Sequence, residues 1–375
     1  MNSDDRLPIA TQQPSDHFAL LQILRGVAAL WVVFFHMYTL RLIQPFYDEL
    51  PAILQRLVFD YGRGGVAVFF VLSGFVITHS LWNKPVDGRY ARGFMMRRII
   101  RLDPAYWASI AVAYASAAII AAAHGNVFEG PTLRMLILHF FYLQELIPTE
   151  QIQYVYWTLT YEVQFYLLTL LGAWAWCRAR GRMTGWRRAV LAIPTIFVAT
   201  AIVSAMGDHD VTIHGLFLNY WFAFVMGGLA YVAGWRRGGW LSLASLAILI
   251  MITLARAPLT EQVFNTPAAF TAILLYAGAR FNFLRIGASS TILNGLGKIS
   301  YSLYLVHVPI MMISGGLVTR MADNGTPSHV LQFAIQTALC VSGATLFWFF
   351  IEAPTHRLAQ RYGRSRQSAQ QPQPA

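Results

Sequence analysis

Cysteine is nearly absent from the chain: Cys177 and Cys340 are the only two in 375 residues. Neither a disulfide framework nor a metal-ligand spacing can be built from them, and no metal is expected. Lysine is as scarce, since Lys84 and Lys298 are the only two among 28 basic residues. The charged fraction is 12% against 56% hydrophobic, about half the charge of an average soluble domain. A formal charge of +11 would suit nucleic acid, but most of the arginines fall in short loops between apolar runs, a pattern that orients a membrane protein. No nucleic-acid partner is expected. No internal repeat is visible, which counts modestly against the repeat-built secondary transporters. Residues 1–19 are polar and acidic and the first apolar run is a full span, so no cleavable signal is expected.

What the chain has instead is a series of apolar runs. They predict an all-α polytopic membrane protein with helices near 20–40, 64–82, 104–123, 156–176, 189–206, 215–234, 240–256, 266–281, 300–318 and 329–351. A further apolar piece, 133–147, is short and follows Gly130-Pro131. With the amino terminus cytoplasmic, the inner loops and tail hold 20 Arg and Lys residues, while the outer connections hold six arginines and most of the acidic residues. That balance puts both termini inside and requires that 133–147 not cross, so this piece is expected to lie at or dip into the outer face. The domain plan is a cytoplasmic tail at 1–18, a membrane domain at 19–356 and a basic, disordered cytoplasmic tail at 357–375.

The run Leu20–Leu40 carries Arg25 and, eleven residues on, His36. On a helix they are about 16 Å apart along the axis and nearly on one face, so one ionisable group sits at the membrane boundary and the other inside. An anchoring arginine with an interfacial histidine is the plain reading; a shared cavity is the functional one. Glu162, in YWTLTYEVQFYLL, is the only carboxylate inside an expected span and roughly matches His36 in depth, so the two are expected to pair. A carboxylate hydrogen-bonded across helices is the structural alternative.

Arg97, Arg98 and Arg101 form a fork of guanidinium groups before the third span. They suit a phosphate-rich ligand or, equally, lipid headgroups. In GRGGVAVFFVLSGFVITHS the residues Gly64, Gly65, Ser73 and Gly74 permit close helix approach. In KISYSLYLVHVPI, Tyr301, Tyr304 and His307 recur every third residue, and three polar tips inside a membrane need partners or water. Ser73, Tyr166, Tyr301, Tyr304 and His307 are the candidates for lining a cavity.

Taken in order, Arg25-x10-His36, GVAVFFVLSGFVI, Arg98-x-x-Arg101 with Pro104 and Tyr106-Trp107, WTLTYEVQFY, LGKISYSLYLVHVPI and FIEAP resemble the integral membrane acyltransferase 3 family. Its members acylate sugars of bacterial surface polysaccharides and other extracytoplasmic acceptors. The resemblance implies a ten-helix domain in the bacterial inner membrane and an acyl-coenzyme A donor, usually acetyl-CoA, bound from the cytoplasmic side. The acceptor is a carbohydrate hydroxyl, lipid-linked in one version, on the other side. By position His36 is the essential histidine, Arg25, Arg98 and Arg101 belong to the donor-binding or catalytic set, and Glu162 matches an important acid. One departure stands out: many members carry Asp where this chain has Gln22.

The expected chemistry is direct transfer with His36 as general base and Glu162 and Arg25 assisting; a relay through acyl-histidine stays open. The competing reading is a glycolipid transporter or flippase with His36 and Glu162 as a proton relay. The acceptor, the acyl length and the oligomeric state are not legible.

Overall fold

The computed structural model describes residues 18–181, 186–206, 214–256, 262–323 and 328–368. Most of the amino-terminal tail and the last residues of the carboxyl tail therefore lie outside the described residues. Counting helices of eight residues or more, the order is α1 Ala19–Thr39, α2 Gly65–Leu81, α3 Gly88–Ala123, α4 Leu133–Phe140, α5 Trp157–Gly181 and α6 Trp186–Met206. It continues with α7 Trp221–Ala230, α8 Gly239–Arg256, α9 Gln262–Arg280, α10 Thr291–Asp323, α11 His329–Phe347 and α12 Ala353–Ser368. No strand occurs among the described residues. Each expected apolar run is a helix. By length and composition, five stretches are able to cross a membrane: Ala19–Thr39, Ala52–Leu81, Gly88–Ala123, Thr291–Gly316 and His329–Tyr362. Shorter apolar helices, Ala192–Met206, Trp221–Trp235 and Gly239–Ala255, lie among them.

Several boundaries differ from the expectation, α10 among them, which starts at Thr291 rather than 300. The third helix starts at Gly88 rather than 104, capped by Asp87, whose carboxylate accepts from the Tyr90 amide at 2.7 Å. Its 36 residues reach about 54 Å, far beyond a bilayer core. Hydropathy missed this first half because the charged run RRIIRLD is helical without being apolar. The tail expected to lack structure from 357 is helical as far as Ser368. The piece 133–147 is one short helix, α4, capped by Thr132, followed by turns that bring Tyr142 back against α3: its hydroxyl donates to Asp103 at 2.9 Å and its ring stacks on Tyr106.

Close approach fixes the packing. At Gly74 of α2 a Cβ would run into the Phe224 carbonyl of α7, and at Gly227 of α7 into the Val71 carbonyl of α2. Stacked Phe70, Phe224 and Phe165 fill the space beside this contact. α1 and α10 run parallel: Gly26 lies against Gly297, where a Cβ would meet the Gly297 nitrogen at 2.8 Å. Ten residues further along each helix, His36 meets His307.

Candidate active site

A polar cavity sits where α1, α2, α3, α5 and α10 converge, with about 100 Å³ open to water. Arg25 from α1 and Arg98 and Arg101 from α3 line it, together with Ser73 of α2, Glu162 and Tyr166 of α5, and Tyr301 and Tyr304 of α10. A helix that continues through the arginine run is what carries Arg98 and Arg101, three apart, into one wall. Arg97, beside them in sequence, does not line the cavity. The Arg98 guanidinium lies over the rings of Tyr166, at 5.1 Å, and Phe94, at 5.5 Å, a placement that holds a cation by the ring quadrupole. The Arg25 Nε is sealed from solvent and has no hydrogen-bond partner. Among the described residues, no carboxylate comes within ion-pair distance of Arg25, Arg98 or Arg101. Glu352 is held instead by the Ser302 hydroxyl at 2.6 Å and amide at 3.2 Å, within electrostatic range of Arg101 and Arg25.

Glu162 accepts from Ser73 at 3.0 Å and, at short range, from the Tyr166 hydroxyl one turn away. The expected pairing of Glu162 with His36 is not formed. His36 does not line the cavity; its Nδ1 lies 2.8 Å from His307 Nε2, and the two rings stack with centroids 5.0 Å apart. Tyr304 is the reason. Its ring, centroid 6.1 Å from that of His307, closes the cavity one helical turn short of the histidines, and its hydroxyl meets the Val155 carbonyl at 2.7 Å and Thr158 Oγ1 at 2.9 Å. Tyr301 donates to the Leu102 carbonyl at 3.2 Å. The three-residue stripe therefore places all three tips on partners, two on cavity walls and one on His36. The proton relay required by the transporter reading lacks its His36–Glu162 link.

On the other side of the histidine pair the segment 151–156 returns to α5. Tyr154 places its ring edge-on to His36, centroids 5.1 Å apart, while staying 44% exposed. Burial pushes its phenol up to about 12. Nearby in the chain, burial raises the Glu145 carboxyl, opposed by His214, whose Nε2 lies 3.3 Å away. Asp103, Tyr142, Tyr154 and Thr158 are site neighbours that hydropathy reading passed over. Asp103 sat just outside the expected span, and its RxxRxD spacing from Arg98 was the available signal.

Among the described residues no cluster suits a metal ion. No solved structure matches the chain. Among curated proteins it is similar to a Rhizobium radiobacter protein called protein 2 in the picA locus, at 34% identity over 27% of this chain and 47% of that protein. It thus spans under half of that relative's length. Nodulation protein 10 of Rhizobium leguminosarum bv. viciae is 25% identical over 93% of this chain and 96% of its own. Acyltransferase MdmB of Streptomyces mycarofaciens is 26% identical over 88% and 90% respectively. The acyltransferase domain family matches residues 18–352, a range that takes in every helix contributing to the cavity and both histidines, and the chain belongs to this family, the integral membrane acyltransferases of type 3.

Proposed function

We propose that the protein is a ten-span membrane O-acyltransferase that moves an acetyl or other acyl group from acyl-coenzyme A to a hydroxyl of an extracytoplasmic carbohydrate such as an exopolysaccharide or O-antigen sugar. The donor enters from the cytoplasmic side. The observation that carries this reading is the cavity with three guanidinium groups and no carboxylate paired to them among the described residues. Burying cations without counter-ions is costly, and a polyphosphate donor supplies the missing charge with bidentate geometry.

In this reading Arg25, Arg98 and Arg101 hold the donor phosphates. The thioester sits at the Tyr304 end of the cavity and reaches His36 once the Tyr304 ring, which closes that wall, swings aside from Val155 and Thr158, while the acceptor hydroxyl approaches His36 beside Tyr154. The His36 imidazole takes the hydroxyl proton as the oxygen bonds to the thioester carbon. The tetrahedral intermediate then expels the coenzyme A sulfur, which takes that proton from the imidazolium, leaving ester and free thiol. Glu162, bound to Ser73 and Tyr166, keeps the middle of the cavity polar and ordered rather than charging the imidazole directly.

The test is transfer of label from acetyl-coenzyme A into envelope carbohydrate, in membranes holding equal amounts of the native protein or His36→Ala. Label entering only with the native protein supports the reading, and a loss on the order of 10²–10⁴ is expected. Equal labelling by both removes His36 from the chemistry. Movement of glycolipid across vesicles with no coenzyme A consumed supports the transporter instead.

A further inference from the structure

The proposed base leaves one question unanswered: which of the two His36 nitrogens is free to act. The answer lies in a chain of two hydrogen bonds. His307 Nδ1 lies 2.9 Å from the carbonyl oxygen of Leu303, one turn back on α10. A carbonyl only accepts, so Nδ1 of His307 carries a proton. His307 is fully buried and, among the described residues, no carboxylate lies within ion-pair distance of either ring. The arrangement that leaves no buried charge without a counter-ion has one proton on each ring. His307 Nε2 then presents a lone pair, and His36 Nδ1, at 2.8 Å, must donate to it. His36 Nε2 is left deprotonated, with no hydrogen-bond partner among the described residues.

We propose that His307 is a positioning residue that holds His36 in the Nδ1–H tautomer through the relay Leu303 carbonyl, His307, His36, so that Nε2 is the nitrogen that takes the acceptor's proton. The second half of this statement rests on the acyltransferase reading; the tautomer does not. An isolated neutral imidazole is not locked in this form, and the wrong tautomer puts a proton where the base needs a lone pair. The relay also fixes the plane of the His36 ring, since the donor must point along the partner's lone pair. It needs parallel α1 and α10 in fixed register, which the Gly26–Gly297 contact supplies ten residues earlier in each helix.

The direct test is the ¹⁵N spectrum of the histidine rings in the full-length protein in lipid nanodiscs, the His36 signals being those lost in His36→Gln. A protonated-type Nδ1 and an unprotonated-type Nε2 are expected for His36. An Nε2–H ring in the native protein overturns the proposal whatever the variants do. His307→Leu removes the acceptor at similar volume; its His36 is expected to become a tautomer mixture, with labelled acetyl transfer lowered on the order of 10²-fold in kcat and little change in the acetyl-CoA KM. His307→Gln puts a carbonyl oxygen where Nε2 was and is expected to recover both the Nδ1–H signature and most of the rate. If His307→Leu leaves the His36 signals unchanged, or His307→Gln is as slow as His307→Leu, His307 is only packing. If no preparation transfers acetyl while the native tautomer is as stated, the acyltransferase reading fails and the relay stands.

Discussion

Replacing Gly26 by alanine bears on the site without touching it. The added Cβ lies 2.8 Å from the Gly297 nitrogen and 3.0 Å from Leu296 Cβ, where ordinary contact starts at 3.4 Å. The obstacle is backbone, so α1 and α10 have to move apart by about 0.6 Å. Carried rigidly along two parallel helices, that shift stretches the 2.8 Å His36–His307 bond to about 3.4 Å, past the usual 3.2 Å limit for N–H donors. Overpacking costs about 1–3 kcal/mol of stability, while loss of the hydrogen bond disorders the base and lowers acetyl transfer on the order of 10–100-fold. Gly295→Ala is the control, because nothing lies within 4 Å of a Cβ there. Both variants would be measured for labelled acetyl transfer and for midpoint of thermal aggregation in detergent. A Gly26→Ala protein with native transfer rate would refute the argument that helix register sets the histidine pair, and an equally slow Gly295→Ala would show that any alanine in this region is harmful.

Arg98→Gln should raise the acetyl-coenzyme A KM by about 10–100-fold with a smaller change in kcat, the equivalent of one or two charge-assisted hydrogen bonds; competition by coenzyme A reads the same loss. Gly74→Ala drives a methyl into the Phe224 carbonyl and should lower the thermal midpoint as about 1–3 kcal/mol of overpacking does, whereas Gly88→Ala, with open space around it, should not. Burial raises the Glu145 carboxyl above its ordinary 4.5, so the folded state prefers the protonated form. Its contribution is present below pH 4.5 and is lost as pH rises through the folded-state value. Glu145→Gln should therefore flatten the decline in thermal midpoint as pH rises above 4.5, and an unchanged slope counts against the burial argument.

The helices were legible because an apolar run of twenty residues has few other uses, and the parity of loop charge kept 133–147 from being read as a span. Depth was legible too: one arginine and one histidine eleven residues apart on α1 do mark two levels of the protein. Pairing was not. Nothing in the spacing of His36 and Glu162 says whether Tyr304 stands between them, because that depends on how α10 is rotated against α1 and α5. The stripe Tyr301, Tyr304, His307 carried the information needed, yet it required the Gly26–Gly297 contact to fix the register. Asp103 went unread for a different reason: the expected span began at Pro104, after the charged run RRIIRLD, whereas α3 passes through that proline, which removes one backbone hydrogen bond without ending the helix.

Inside a membrane each polar side chain must find a partner, and the way this chain meets that rule separates its structural groups from its functional ones. Tyr301 and Tyr304 give their hydroxyls to backbone carbonyls, Ser302 and Glu352 satisfy each other, and Ser73 and Tyr166 satisfy Glu162. These bonds leave no spare capacity to explain why three arginines converge on one cavity. A purely packing role would have answered each guanidinium with a carboxylate or a carbonyl, as Tyr301, Tyr304, Ser302, Ser73 and Tyr166 are answered. The buried Tyr106 and Thr160 hydroxyls also lack partners, but an unanswered neutral hydroxyl costs far less than an unanswered cation. The Arg25 Nε has no such answer, and the free Nε2 of His36 lies one helical turn beyond the far wall. A ligand with several negative charges at one end and a reactive carbonyl at the other would satisfy the first and engage the second, which is the division of labour that a coenzyme A thioester brings.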